Sequence, residues 1–165
     1  MIQFRPCFTV TLALTGSLLF SSCGNEEAAP TPPTLYERIG KVEGISKIVD
    51  QLIANVGAET QTSNTAMLRT HKPMLDAISS GADPTRLQRL RNHFIDQLGE
   101  ATGGPLTYKG MNMLAAHKGM MITEHEYAVW RKAADASLET NQVPAKERAE
   151  LTAILDAMKA DVVGH

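Results

Sequence analysis

Cysteine, aromatic residues and any large excess of one charge are scarce in this sequence. The only two cysteines, Cys7 and Cys23, lie ahead of residue 24, so the remainder has no disulfide and no cysteine nucleophile. The formal net charge is −2 with histidines neutral, which gives no reason to expect a nucleic-acid partner. Phosphate-binding glycine loops and paired metal-binding motifs are also missing, which excludes several common enzyme designs.

The first 22 residues have the layout of an export signal, with one basic residue, an apolar run from Phe8 to Phe20, and small residues before Cys23. The run spans 13 residues, whereas a transmembrane helix needs about 20, so cleavage is expected rather than permanent insertion. The segment from Leu19 to Gly24 resembles a bacterial lipoprotein processing site. This resemblance implies that Cys23 becomes a lipid-bearing N-terminus.

Phe20 departs from the leucine that is usual at its position in such sites, so ordinary signal cleavage and an uncleaved anchor stay open. Gly24 after the cysteine implies the outer membrane, with the protein facing the periplasm. We therefore divide the chain into a lipoprotein signal peptide, residues 1–22, a lipidated cysteine with a flexible proline-rich tether, residues 23–33, and one domain, residues 34–165. Loss of the signal leaves 15 basic and 18 acidic side chains, a net charge near −3.

Helical spacing of apolar residues dominates from Thr34 onward, and we find no strand alternation and no internal repeat. An all-α domain is therefore predicted. Three signals place helix ends: Gly57 after the first stripe, Asp83-Pro84 as a cap with a first-turn proline, and Thr123 with Glu126 as a capping box. The predicted helices cover residues 42–57, 67–78 with Pro73 as a kink or a new start, 84–99, 111–117, 124–138 and 144–162.

His117 shares one face of a short predicted helix with Met111 and Leu114, at a spacing of three residues. A neutral imidazole on an apolar helix face can ligate haem iron, although a lone histidine there is more often a packed core side chain. Three segments in order along the chain are stronger support for a haem site than this one histidine. They are the opening Thr34–Gly40, the glycine-rich lead-in Gly103–Gly110, and the run to Ile122 around His117. Together they resemble the group I truncated haemoglobins.

This resemblance covers about 130 residues, 34–163, and implies a truncated, two-on-two helical globin with one haem b held by His117. His93 falls where some members have a histidine that binds the sixth iron site. In helical projection it lies about 60° from Leu90, so it could equally stay solvated. His71, on one face with Met67 and Met74, is a third candidate ligand if its segment covers the pocket.

The resemblance also implies which side chains contact the haem. Tyr127 is one of them, although its helical stripe is by default core packing. The expected contact residues are Ile53, Leu75, Leu90, Phe94, Leu98, Tyr108, Met113, Leu114, Met121 and Tyr127. Lys109, Lys118 and Arg131 are candidates to meet the haem propionates, with solvated surface side chains as the alternative.

Several positions depart from the family pattern. Leu52 and Ile53 occupy the places of a usual Phe-Tyr pair, Met74-Leu75 replaces a Phe-Phe pair, and Phe94 replaces a glutamine. The stretch between residues 57 and 83 is longer than usual. Loss of the polar donors implies poor stabilisation of bound oxygen, since donors and polarity in the distal pocket decide between binding and redox roles.

The predicted ligand is thus a diatomic gas, oxygen or nitric oxide, with a redox partner as a further candidate and electron transfer favoured over oxygen carriage. No substrate site is legible, so the residues assign no enzymatic activity. Two other interpretations stay open. Met111, Met113, Met120 and Met121 surround His117, and thioethers with an imidazole suit Cu(I) in a periplasmic protein. The altered pocket also fits a globin-like domain that has lost its cofactor and serves as an interaction module.

Overall fold

A computed structural model describes residues 31–61 and 66–165, and the predicted signal peptide and Cys23 lie outside these ranges. The described residues form helices and no strand, apart from one isolated parallel bridge between Ile122 and Val163. The predicted all-α class is confirmed. The helices are α1 (Leu35–Arg38), α2 (Lys41–Glu59), α3 (Ala66–Ser79), α4 (Arg86–Ala101), α5 (Met113–His117), α6 (Glu124–Thr140), α7 (Ala145–Ala157) and α8 (Lys159–Val162).

Helix α2 is the centre of the fold, because it packs against α4 and α6. Its predicted apolar stripe is buried as expected at Ile45, Val49 and Leu52, whereas Val42 in the first turn is 38% exposed. The helix does not stop at Gly57. It ends at Glu59, because the Thr60 N–H bonds to the Val56 carbonyl at 3.1 Å and its hydroxyl donates to the Gly57 carbonyl at 2.7 Å.

Capping boxes begin two of the helices, α1 and α6. The predicted box of Thr123 and Glu126 is confirmed: the Glu126 N–H donates to the Thr123 hydroxyl at 3.2 Å, and the Glu126 carboxylate accepts from the Thr123 N–H at 2.9 Å. Thr34 and Glu37 make a second box that starts α1. In each of these two helices, one of the free N–H groups of the first turn therefore has a side-chain acceptor.

The start of α4 differs from the prediction. Thr85 stands at the N-cap, without a side-chain cap bond, and Asp83 lies in the preceding turn. The Asp83 carboxylate is already engaged by Arg89, whose two terminal nitrogens donate to it at 3.0 and 2.5 Å. An acidic residue before a proline thus anchors the turn here and does not cap the helix.

The structure also differs from two further predictions, one at Pro73 and one for the last helix. Helix α3 runs without a break through Pro73, so the alternative of a new helix at this residue is wrong. The single predicted last helix is divided at Met158 into α7 and α8. Within the described residues, none of the helices combines the length and the hydrophobicity needed to span a lipid bilayer.

The glycine-rich connector after α4 turns back along that helix. The Gly104 N–H donates to the Gly99 carbonyl at 2.8 Å, and a Cβ at Gly99 would lie 2.3 Å from a methyl carbon of Leu106. Further along, the Tyr108 N–H donates to the Glu100 carboxylate at 3.1 Å. The connector therefore runs back beside the end of α4 before α5 begins.

Candidate functional site

His117 is the last residue of α5, a helix that begins where the Asn112 side chain accepts the Ala115 N–H at 2.8 Å. The His117 Nδ1 lies 2.8 Å from the Met113 carbonyl oxygen, one turn earlier in the helix. A carbonyl can only accept, so Nδ1 carries a proton, and in the neutral imidazole the lone pair is then on Nε2. Histidines that bind metals are commonly oriented by this kind of second bond. The imidazole is thus fixed in a tautomer that can ligate.

The apolar side chains around His117 are turned outward. None of the residues of α5 is buried, and Leu114 is 44% exposed, Met111 64% and Met121 62%. Among the described residues, large exposed hydrophobic side chains occur at six positions, and five of them lie on α4 or flank His117. A concentration of exposed apolar side chains in one region is typical of a binding surface.

Helix α4 supplies the other part of this surface. Its predicted stripe is buried at Leu98, 3% exposed, half-buried at Phe94, and open at Leu90 and Leu87, 46% and 39% exposed. The same helix face therefore leaves the core toward the N-terminus of α4. Packing within the domain accounts for the buried half only, and an apolar ligand would account for the rest.

One aromatic pair brings α4 to the lead-in of α5. The rings of His93 and Tyr108 meet edge to face, with centroids 6.0 Å apart, and the Tyr108 hydroxyl donates to the Met111 carbonyl at 2.7 Å. Helix α5 itself packs mainly against α8. The ring contact and the hydrogen bond of Tyr108 therefore connect the middle of α4 to the residues just before α5.

The residues predicted to contact a haem divide into two groups. Leu98 and Tyr127 lie in the core, and the Tyr127 hydroxyl donates to the Leu155 carbonyl at 3.1 Å. The others are half-buried or exposed, with Phe94 against Trp130 at 6.4 Å between ring centroids. This partly accessible group consists of Ile53, Leu75, Leu90, Phe94, Tyr108, Met113, Leu114 and Met121.

The two other candidate histidines differ in their surroundings. His93 is exposed, and within the described ranges its contact is the Tyr108 ring. His71 on α3 is half-buried, and its Nδ1 lies 2.9 Å from the Met67 carbonyl oxygen. Burial lowers the pKa of His71, which favours the neutral, ligating form. Both imidazoles are chemically able to bind iron. His93 is exposed and contacts the Tyr108 ring, whereas His71 is held by its bond to the Met67 carbonyl.

Of the basic residues considered for the propionates, Arg131 is engaged with Asp135 and Asp156, whereas Lys109 and Lys118 are exposed. A different cation, Arg69 on α3, was missed by the sequence analysis. Its guanidinium binds both carboxylate oxygens of Glu126 and the carbonyls of Met120 and Met121, just after His117. These partners lie more than 50 residues from Arg69, so neither spacing nor composition could have identified the contact.

Two cavities lie elsewhere in the domain. A small void of about 10 Å³ lies in the core beside Phe94 and Leu98, and an open groove of about 530 Å³ lies beside Tyr36 and Gly104. Neither touches His117. Across residues 31–61 and 66–165, no three histidine, cysteine or acidic side chains are grouped to hold a metal ion. A metal at His117 would therefore need donors beyond these side chains, which a porphyrin supplies.

Comparison with known proteins agrees with this architecture. Residues 34–163 match the family model described as "Bacterial-like globin". The chain is 24% identical over 131 residues to Group 1 truncated hemoglobin GlbN of Mycolicibacterium paratuberculosis, covering 79% of this chain and 85% of that protein. A crystal structure of truncated hemoglobin from Tetrahymena pyriformis in its Fe(III) form is 23% identical and superposes with a TM-score of 0.61, covering 81% of this chain and all of that one. A single-substitution variant of the same protein gives a TM-score of 0.63 at 22% identity.

Proposed function

The chain belongs to the bacterial-like globin family, and from this membership we propose that it binds one haem b through the Nε2 of His117. The observation that carries the proposal is the bond of His117 Nδ1 to the Met113 carbonyl, 2.8 Å, on a helix whose apolar side chains are exposed. When bound, the haem iron supplies a site for a diatomic gas and for one-electron chemistry.

The donor set of this chain fits such a group. His117 offers one imidazole oriented by its Nδ1 bond, and Leu90, Leu114 and Met121 offer exposed apolar side chains on α4, on α5 and after α5. Covering this surface with a porphyrin would remove large apolar side chains from water, which is favourable at roughly 25 cal/mol per Å². The protein therefore orients the iron ligand and excludes water, while the polar contacts needed at the haem edge can come from exposed Lys109 and Lys118.

The distal side favours redox or nitric-oxide chemistry over oxygen storage. Leu52 and Ile53 have no hydroxyl, and Phe94 has no amide, so these positions offer no hydrogen-bond donor to bound oxygen. His93 is an exposed imidazole one turn beyond Leu90 on α4. We propose that it closes the sixth iron site, and that a small electron-transfer protein is the physiological partner.

The test is the absorption spectrum of the purified protein with stoichiometric haem. Binding through His117 predicts a defined Soret band that is lost in His117→Ala and restored in His117→Gly by added imidazole. His125→Ala is the matched control, because His125 is also exposed and lies at the start of α6. An equal spectrum in the parent protein and in His117→Ala would refute the assignment.

One observation supports copper as an alternative to haem iron at His117. Met111 and Met121, which flank His117, are more than 60% exposed, and exposed thioethers with an imidazole suit Cu(I). Metal analysis after growth with both copper and haem distinguishes the two. Haem with negligible copper supports the globin site, copper without haem replaces it, and absence of both supports a cofactor-free interaction module.

We further propose that the protein is a lipoprotein of the outer membrane, facing the periplasm, with its lipid on Cys23. The support is sequence alone, namely the apolar segment and the small residues that precede this cysteine. Labelled fatty acid should be incorporated into the parent chain and not into Cys23→Ser, and fractionation should follow the label. Equal labelling of both chains would disprove the anchor.

A further inference from the structure

Arg69 makes the most extensive set of long-range side-chain contacts beside His117. Its Nε donates to Glu126 Oε1 at 2.7 Å and its Nη2 to Glu126 Oε2 at 2.5 Å. Its Nη1 donates to the Met120 carbonyl at 2.8 Å, and Nη2 also reaches the Met121 carbonyl at 3.0 Å. One guanidinium thus joins α3 to the start of α6 and to the segment between α5 and α6.

The segment that Arg69 holds is continuous with His117. The Met120 N–H donates to the His117 carbonyl at 3.0 Å, and the Met121 N–H donates to the His165 carbonyl at 2.5 Å. Gly119 and Met121 have φ of 83° and 49°, so the chain cannot continue as a helix here. The backbone after His117 therefore depends on individual hydrogen bonds, and Arg69 donates to two successive carbonyls of it.

The contact is more than a helix cap. Thr123 already provides the reciprocal capping bonds with Glu126, at 2.9 and 3.2 Å, without Arg69. The Arg69 side chain is 52% exposed, so its contribution to core packing is small. What remains specific to the guanidinium is its planar fork, which binds a carboxylate with two parallel donors and leaves Nη1 for a carbonyl.

We propose that Arg69 is a positioning residue for His117: by fixing the carbonyls of Met120 and Met121, it holds the backbone that sets where the imidazole stands. This inference rests on the proposed function of His117. It also assigns a role to α3, the part of the chain that departs most from the family pattern. Through Arg69, α3 is joined to the backbone that follows His117.

The first measurement uses the haem-free chain. Hydrogen exchange of the peptide covering residues 118–123 is compared between the parent protein, Arg69→Gln and Arg89→Gln. Arg89 is the matched control, since it is 55% exposed and binds one carboxylate through two nitrogens, without contacting the segment after His117. We expect exchange to be faster by about tenfold in Arg69→Gln and by less than about twofold in Arg89→Gln.

The second measurement uses the haem-loaded protein and follows haem transfer to an excess of a haem-scavenging protein. We expect transfer to be roughly five- to tenfold faster from Arg69→Gln than from Arg89→Gln, because an ordered ligand dissociates less often. Arg69→Lys keeps the charge but not the fork, and should behave like Arg69→Gln in exchange. Full rescue by lysine would overturn the proposal, since charge alone would then suffice.

Equal exchange in Arg69→Gln and Arg89→Gln would also overturn it, as would equal haem loss from both. Circular dichroism and thermal unfolding of each variant establish that the helices are retained before these rates are compared. Failure of the proposed function is recognised separately: the parent protein would then show no haem spectrum that depends on His117.

Discussion

The imidazole of His93 stands edge to face against the ring of Tyr108, with an interplanar angle of 83° and 6.0 Å between centroids. This pair links the middle of α4 to the lead-in of α5, because the Tyr108 hydroxyl bonds to the Met111 carbonyl. His93 is therefore in contact with the lead-in of α5 while it stays exposed.

The first prediction follows from this placement. His93→Ala should retain haem and change the ferric spectrum from low-spin to high-spin, because a sixth ligand is lost while His117 remains. Absorption and electron paramagnetic resonance report the change directly. Asn92→Ala, at the exposed neighbouring position, is the control and should stay low-spin. A parent protein that is already high-spin would show that His93 does not ligate.

The second prediction separates binding surface from core on a single helix. Leu90→Gln should change the free energy of unfolding of the haem-free chain by no more than about 0.5 kcal/mol, because Leu90 is 46% exposed. Its haem affinity should fall by roughly tenfold or more, since an apolar contact is lost. Leu98→Ala should instead cost about 2–5 kcal/mol of stability, because Leu98 is 3% exposed. Denaturant titrations with and without haem measure both effects.

The third prediction compares two glycines of α2. A Cβ at Gly44 would lie 1.8 Å from the Ile39 carbonyl oxygen, so Gly44→Ala must displace backbone and should destabilise the fold by at least about 2 kcal/mol. A Cβ at Gly57 would meet nothing within 4 Å, and Gly57→Ala should stabilise by about 0.5–1 kcal/mol through helix propensity. Thermal unfolding of both variants gives the signs. A stabilised Gly44→Ala would contradict the close approach of α1 to α2.

The fourth prediction concerns acid. The hydrogen bond from Arg69 lowers the pKa of Glu126 from 4.5 to about 2, and the Thr123 bonds act in the same direction. Since the folded pKa lies below the unfolded one, the stabilisation is complete above about pH 4.5 and is lost as the pH falls through about 2. The difference corresponds to at most about 3 kcal/mol, reduced by solvent at half-exposed Arg69.

Glu126→Gln removes this dependence. Its stability should be lower than that of the parent at pH 6 and nearly equal to it at pH 2, as measured by denaturant unfolding across that range. Glu124→Gln is the control, because Glu124 is exposed and lies two residues earlier in the same first turn of α6. This variant should follow the parent curve closely. A Glu126→Gln chain that loses stability in parallel with the parent would argue against the Arg69 bond as the cause.

Much of the fold could be predicted from the sequence, because helical periodicity is a local property. Helices α2, α4 and α6, the Thr123–Glu126 capping box and the truncated globin fold are confirmed. Helix ends were less predictable. Asp83 has the residue type of a cap, yet its carboxylate binds Arg89, six residues later. Helix α3 continues through Pro73 and packs against α2, α4 and α6.

The candidate site was only partly predictable. The sequence segments on either side of His117 identified it as a candidate, but the bond to Met113 and the exposure of Leu114 are properties of the folded chain. A spacing pattern says which residues share a face and not what covers that face, which is why Leu87 and Leu98 look alike in sequence and differ in burial. Arg69 gave no signal at all, since its four bonds depend on the path of α3.

The opening segment and the glycine-rich connector, some 65 residues apart in sequence, contact each other in the fold. The Tyr36 N–H donates to the Thr102 carbonyl at 2.9 Å, and a Cβ at Gly104 would lie 2.5 Å from the Tyr36 ring. A chimera that took either segment from a relative would pair a foreign ring with a native glycine, or the reverse. Exchanges between such proteins should therefore move residues 34–44 and 99–110 together, as a single cassette.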